Sequence, residues 1–76
     1  MKSTLDLIQL AGTGVNIVID ASTKSTLDII QIVGSIGLKG SHITITNADC
    51  KSTLDLIQIA SVYPTNITYD FTGVIK

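Results

Sequence analysis

Apolar and polar positions follow two different periods along this chain, and the two periods alternate three times. An octapeptide reads KSTLDLIQ at residues 2–9, KSTLDIIQ at 24–31 and KSTLDLIQ again at 51–58. Its apolar positions have the spacing of a helix, whereas the run that follows each copy alternates with the period of a strand. The pattern predicts one domain made of three tandem helix–strand units. The predicted units are residues 2–23, 24–50 and 51–76.

Each octapeptide begins with the signals of a helix N-terminus. Its serine can accept a hydrogen bond from a first-turn amide, and an aspartate follows three residues later, as in a capping box with Asp in place of Glu. The pairs are Ser3 with Asp6, Ser25 with Asp28, and Ser52 with Asp55. The adjacent threonine is an alternative cap. The predicted helix stops are Gly12, Gly40 and the pair Tyr63-Pro64.

The runs at residues 15–20, 41–46 and 66–71 predict strands with one apolar and one mostly polar face. Because strands joined through helices are parallel with right-handed crossovers, the fold class is α/β: a small parallel-sheet solenoid with helices on one face. The residues expected to point towards the helices are Ile17, Ile19, Ile43, Ile45, Ile67 and Tyr69. The opposite face is a candidate interaction face made of Asn16, Val18, Asp20, His42, Thr44, Thr46, Asn66, Thr68 and Asp70.

The composition predicts association with another subunit. Of the 76 residues, 45% are apolar and only 14% are charged, against roughly 25% charged residues in an average soluble domain. The mean hydropathy is +0.48, and the octapeptide helices have only a narrow polar stripe. So small a domain has little interior for these side chains, and a three-stranded sheet has two open edges. We therefore expect a homo-oligomer or a complex with another protein.

Charge and sequence pattern exclude several other classes. The net charge of −1 lacks the basic surface of a nucleic-acid binder, and no apolar run approaches the roughly 18 residues of a membrane span. Asp6 interrupts the region where a signal peptide would be apolar, so we expect a cytoplasmic protein. The glycines of residues 34–40 do not follow the order of a phosphate-binding loop and are interpreted as a helix terminator.

Candidate chemistry is sparse. His42 is the only histidine and Cys50 the only cysteine, which excludes an internal disulfide and the usual four-ligand zinc site. His42 could act as a base oriented by Asp20 or Asp70, but no nucleophile is predicted beside it. Cys50 occupies the place of Thr23 in the first unit and is interpreted as a spacer. We expect a non-catalytic protein without metal or cofactor.

The segment from Asn16 to Ala48 has a strand that ends in Asp20, a serine-rich turn, a helix and a second strand. In this order it resembles the STAS domains that regulate sigma factors and anion transporters. The resemblance covers less than half of the chain and implies a phosphorylated serine at the helix start, here Ser22 or Ser25. The alternative function is an inhibitor or regulator that binds another protein through the open sheet face, either a STAS-like adaptor or a mobile-element accessory protein.

Overall fold

The computed structural model describes residues 2–72, in which three α-helices alternate with three β-strands. The helices are α1 (Thr4–Ala11), α2 (Thr26–Gly34) and α3 (Thr53–Ala60), and the strands are β1 (Ile17–Asp20), β2 (Ile43–Thr46) and β3 (Ile67–Tyr69). Single 3₁₀ turns lie in the connections, at Ala21–Thr23, Gly37–Lys39, Ala48–Cys50 and Pro64–Asn66. The small α/β domain expected from the sequence is confirmed.

The three strands form one parallel sheet in the order β1-β2-β3, as predicted. The register places the apolar positions of the strands opposite one another, so that they form two rows across the sheet. These rows are Ile17–Ile43–Ile67 and Ile19–Ile45–Tyr69. Both rows pack into the hydrophobic core with residues of the helices, because this alternation turns every second side chain to the same side.

Serine, not threonine, caps all three helices. The hydroxyls of Ser3, Ser25 and Ser52 each accept a hydrogen bond of 3.1 Å from the amide of the aspartate three residues later. The three serines share an extended backbone conformation, which is the usual one for a residue in this position. The repeated octapeptide therefore forms the same local structure each time, because the residues that decide it lie within one turn of one another.

Two helix ends differ from the prediction. Gly12 follows α1 as expected, but α2 ends at Gly34 and not near Gly40, and α3 ends at Ala60, before Tyr63-Pro64. A serine follows each of these two ends, and its hydroxyl donates to the carbonyl oxygen of a helical glutamine, Gln31 at 2.9 Å and Gln58 at 2.8 Å. These bonds satisfy carbonyls that the helix leaves without a partner. Gly40, with φ of 75°, ends the following 3₁₀ turn instead.

The middle of the chain forms most of the core. Ile29 and Ile32 of α2 are fully buried, as are Ile43 and Ile45 of β2. Ile36 is 1% exposed although it lies outside the helix. The outer strands and helices are covered on fewer sides, and their ends provide the surfaces described next.

Candidate interaction surfaces

The strand register places five of the nine residues predicted for the open sheet face: Val18, Asp20, Thr44, Thr46 and Thr68. The register brings Val18, Thr44 and Thr68 together in one row. Asp20 is paired with Thr46. Asn16, His42 and Asp70 lie just outside the strands, and Asn66, predicted within a strand, belongs to the 3₁₀ turn before β3. Val18 has 71% of its surface exposed, which fits its position on the side away from the core.

The two asparagines of this face hold neighbouring segments together. Asn16 Oδ1 accepts a hydrogen bond of 3.2 Å from the amide of His42, and Asn66 Nδ2 donates to the carbonyl oxygen of Ser41 at 3.1 Å. Each bond joins the start of one strand to the start of the next. Both side chains therefore have a structural role within the chain.

The two aspartates close the turns that leave the strands. Asp20 Oδ1 accepts hydrogen bonds from the amide and hydroxyl of Ser22, at 2.9 and 2.7 Å, and from Asn47 Nδ2 at 2.9 Å. Asp70 Oδ1 accepts from the amide and the hydroxyl of Thr72. The hydrogen bond from Asn47, followed by those from Ser22, holds the pKa of Asp20 below its ordinary value.

Acid is expected to destabilise the protein partly through Asp20. Its pKa is lowered in the folded state, so the carboxylate contributes stability that is fully present above the unfolded value, 3.8. That contribution is lost as the pH falls through the folded value. We expect Asp20→Asn to flatten the fall of the free energy of unfolding below about pH 4, measured by urea denaturation at a series of pH values. Asp49→Asn, at an exposed position, is the matched control, and equal acid slopes for Asp20→Asn and the wild type would contradict the prediction.

His42 has a partner that the sequence did not predict. Its Nε2 lies 2.6 Å from Thr68 Oγ1, whereas the carboxylates of Asp20 and Asp70 are bonded to their own turns. The expected orientation of His42 by an aspartate is therefore wrong. The contact joins residues on neighbouring strands two positions apart in register, a distance that long side chains reach across a sheet.

The His42–Thr68 pair has the elements of a base and a hydroxyl nucleophile, but its surroundings do not complete a catalytic site. Activation of a hydroxyl in this way requires a third group that orients the imidazole. In residues 2–72, the hydrogen bond to Thr68 is the one formed by the ring of His42. The pair lies on an open sheet face, and its geometry supports a bridge between β2 and β3.

The serines implied by the STAS resemblance are both engaged in local hydrogen bonds. Ser22 Oγ donates to Asp20 Oδ1 at 2.7 Å, and Ser25 Oγ accepts from the amide of Asp28 at 3.1 Å. Both residues are exposed. Their hydroxyls serve a turn and a helix cap, so these structural roles account for both serines.

Apolar side chains lie on the outer surface of the helix layer. The fourth residue of each octapeptide is a leucine, and the exposed fractions of Leu5, Leu27 and Leu54 are 64%, 65% and 66%. These three helical positions thus have closely similar environments. In residues 2–72 the other large apolar side chains with more than a third of their surface exposed are Leu10, Val15, Val18, Leu38, Ile57, Val62 and Phe71.

A groove lies beside each outer strand of the sheet. The groove next to β1 has a volume of about 320 Å³, and Leu7 and Ile19 line it together with Lys2. The groove next to β3 has a volume of about 330 Å³, and Leu56 and Tyr69 are among its lining residues. Leu7 and Leu56 occupy the same position of the octapeptide, and Ile19 and Tyr69 belong to the same row of the sheet. The two grooves are therefore built from equivalent positions.

No protein-family model, curated protein or solved structure matches this chain. None of the helices within residues 2–72 is long and apolar enough to cross a lipid bilayer. The same part of the chain contains no cluster of three or more histidine, cysteine, aspartate or glutamate side chains suited to hold a metal ion. The interpretation of function therefore depends on the surfaces themselves.

Proposed function

We propose that this chain is a short α/β solenoid of three units that acts as a non-catalytic, self-associating interaction module. The observation that carries the proposal is the apolar side chain exposed at the two ends of the helix layer, where Leu10 is 39% and Ile57 is 59% exposed. Contiguous apolar surface is uncommon on a monomer and usually marks an interaction site. The cytoplasmic location expected from the sequence stays a prediction.

Equivalent positions support the proposal of a solenoid. Lys24 Nζ donates to the carbonyl oxygen of Lys2 at 3.1 Å, and Lys51 Nζ donates to that of Lys24 at 2.8 Å. The first residue of each octapeptide therefore binds the first residue of the preceding one. A contact that recurs in this way is typical of stacked units, in which each unit contacts its immediate neighbours.

Self-association would add stability that a domain of this size lacks. A domain of this size rarely gains more than about 3–5 kcal/mol from its own core. Burying a large apolar side chain completely contributes about 1.5–3 kcal/mol, so a few exposed leucines and isoleucines could add a comparable amount at an interface. Binding to a second copy also stabilises the folded state by mass action.

Light scattering over a concentration series tests the proposal. We expect the mass to rise above the 8.0 kDa of one chain between about 1 µM and 1 mM, the range in which association free energies of about 4–8 kcal/mol become visible. A reducing agent must be present because Cys50 is free and exposed. A mass of one chain at every concentration would overturn the proposal.

A variant of the open sheet face separates this function from the regulator that is its alternative. Thr44 lies on the open face of the central strand β2, so Thr44→Glu places a negative charge on that face away from both outer strands. We expect self-association to persist, because Thr44 lines neither groove. Loss of association would assign it to the open face.

A further inference from the structure

The two outer strands present complementary rows of backbone groups. The amide of Ile17 donates to the carbonyl oxygen of His42 at 2.9 Å, and that of Asp70 donates to the carbonyl oxygen of Ile45 at 2.9 Å. Backbone groups of alternate residues in a parallel ladder point to opposite sides. Those of Val18 and Asp20 therefore face away from β2 at one edge of the sheet, and those of Ile67 and Tyr69 face away from it at the other.

This arrangement is the one that a further parallel strand requires. Within the chain, β2 binds β1 through Thr44 and Thr46, whose register partners are Val18 and Asp20. The strand β1 therefore presents towards its open edge the same positions that β2 presents towards β1. A second copy of β1 could pair with β3 in the register that the chain already uses, with Val18 opposite Thr68.

Side-chain burial in the helix layer shows that its two ends are also different and complementary. The residue that directly follows each octapeptide is fully buried as Ile32 and Ile59 but 39% exposed as Leu10. Leu10 lies on α1, which no other helix of residues 2–72 precedes. At the seventh position, Ile8 and Ile30 are partly buried against the core, whereas Ile57 of α3 is 59% exposed. The α1 end of the helix layer therefore exposes the position that a preceding helix covers in the other units. The α3 end exposes the position that a following helix covers.

The hydrogen bonds between equivalent lysines form a series that has a donor group at one end and an acceptor group at the other. Lys24 and Lys51 each donate to the carbonyl oxygen of the equivalent lysine before them. Lys2, which is exposed, stands at the donor end of this series, and the carbonyl group of Lys51 stands at its acceptor end. A second copy placed in sequence with the first would continue the same contact.

We propose that copies of this chain stack head to tail, with β1 of one copy added in parallel to β3 of another and Lys2 donating to the carbonyl oxygen of Lys51. The inference rests on the proposed self-association and names its geometry. The two contacting surfaces are different, so each copy keeps one of them free after pairing. Such an interface produces rings or filaments and does not stop at a two-fold dimer.

Variants that block one end each provide the test. Val18→Pro removes the outward amide of β1, and Leu10→Lys places a charge at the same end through the helix layer. Ile57→Lys blocks the opposite end. Val18, Leu10 and Ile57 are all more than a third exposed, and circular dichroism checks that each variant folds. If Val18→Pro does not fold, Leu10→Lys takes its place.

Light scattering of the wild type, the single variants and their mixtures distinguishes the possible geometries. We expect the wild type to grow beyond a dimer and each variant alone to associate at least about tenfold more weakly, the effect of losing one important contact. A mixture of Val18→Pro with Ile57→Lys should give a species of twice the 8.0 kDa chain mass, since each variant retains the end that the other has lost.

The results that overturn the inference differ from the one that overturns self-association. A wild type that associates while either end variant associates equally well would reject the head-to-tail geometry and leave self-association in place. A mixture that stays monomeric would reject it too. A wild type that is monomeric throughout would reject self-association itself, and the stacking geometry with it.

Discussion

Replacing Ile45 with alanine is expected to lower the free energy of unfolding by about 2–5 kcal/mol, enough to unfold much of the protein at 25 °C. Ile45 is fully buried on the central strand, where it lies between Ile19 and Tyr69 in the apolar row of the sheet. Truncation there removes apolar contacts and leaves a cavity that the surrounding strands and helices can close only in part. A domain of this size has little stability to lose.

Urea denaturation followed by circular dichroism measures this effect. Val18→Ala is the matched control, because Val18 is 71% exposed on the opposite face and its truncation should cost less than about 0.5 kcal/mol. Both variants must be compared at the same low protein concentration, since association adds stability by mass action. A cost at Ile45 no larger than at Val18 would show that the isoleucine face is not the core.

Proline at Thr44 is expected to destabilise the protein by about 1–3 kcal/mol, whereas proline at Val18 should leave a folded chain of nearly wild-type stability. The two residues are register partners on the same face of the sheet. The ladder that begins at the amide of Ile17 continues, in the parallel pattern, from the amide of Thr44 to the carbonyl oxygen of Ile17. Proline at Thr44 removes that donor from the central strand, while the amide of Val18 faces the open edge.

Thermal melts of the two proline variants compare a central with an edge position at one level of the sheet. The expected result is a large loss for Thr44→Pro and a melting temperature near that of the wild type for Val18→Pro. Equal losses at a protein concentration too low for association would contradict an unpaired amide at Val18, and the proposed stacking surface at β1 would lose its support. The comparison therefore also checks the premise of the head-to-tail model.

Local features could be predicted from the sequence because the residues that produce them are close along the chain. The serine caps depend on Ser25 and Asp28, for example, three residues apart. The two faces of each strand depend only on the alternation of side chains, and Ile43 and Ile45 are buried as this pattern requires. Parallel pairing followed from the general rule for strands joined through helices.

The register agrees with the predicted row of Val18, Thr44 and Thr68, but the hydrogen-bond partners of the other polar residues were not predicted. Asp20 was considered as the orienting partner of His42, and it instead binds Ser22 and Asn47. The bond from Asn47 crosses 27 positions of the sequence. No short pattern contains both residues, and their contact depends on how two turns pack beside one another.

The sequence by itself determined that there are three helices and three strands and which side of the sheet is apolar, because helix and strand periods act over a few neighbouring residues. The tertiary structure alone decided which distant residues meet: His42 with Thr68, Asn47 with Asp20, and each lysine with the one before it. It also decided that equivalent isoleucines are buried to different extents: Ile57 is exposed, whereas Ile8 and Ile30 are partly covered. Burial depends on neighbours in space, and these differ between the middle and the ends of a stack even where the local sequence is the same.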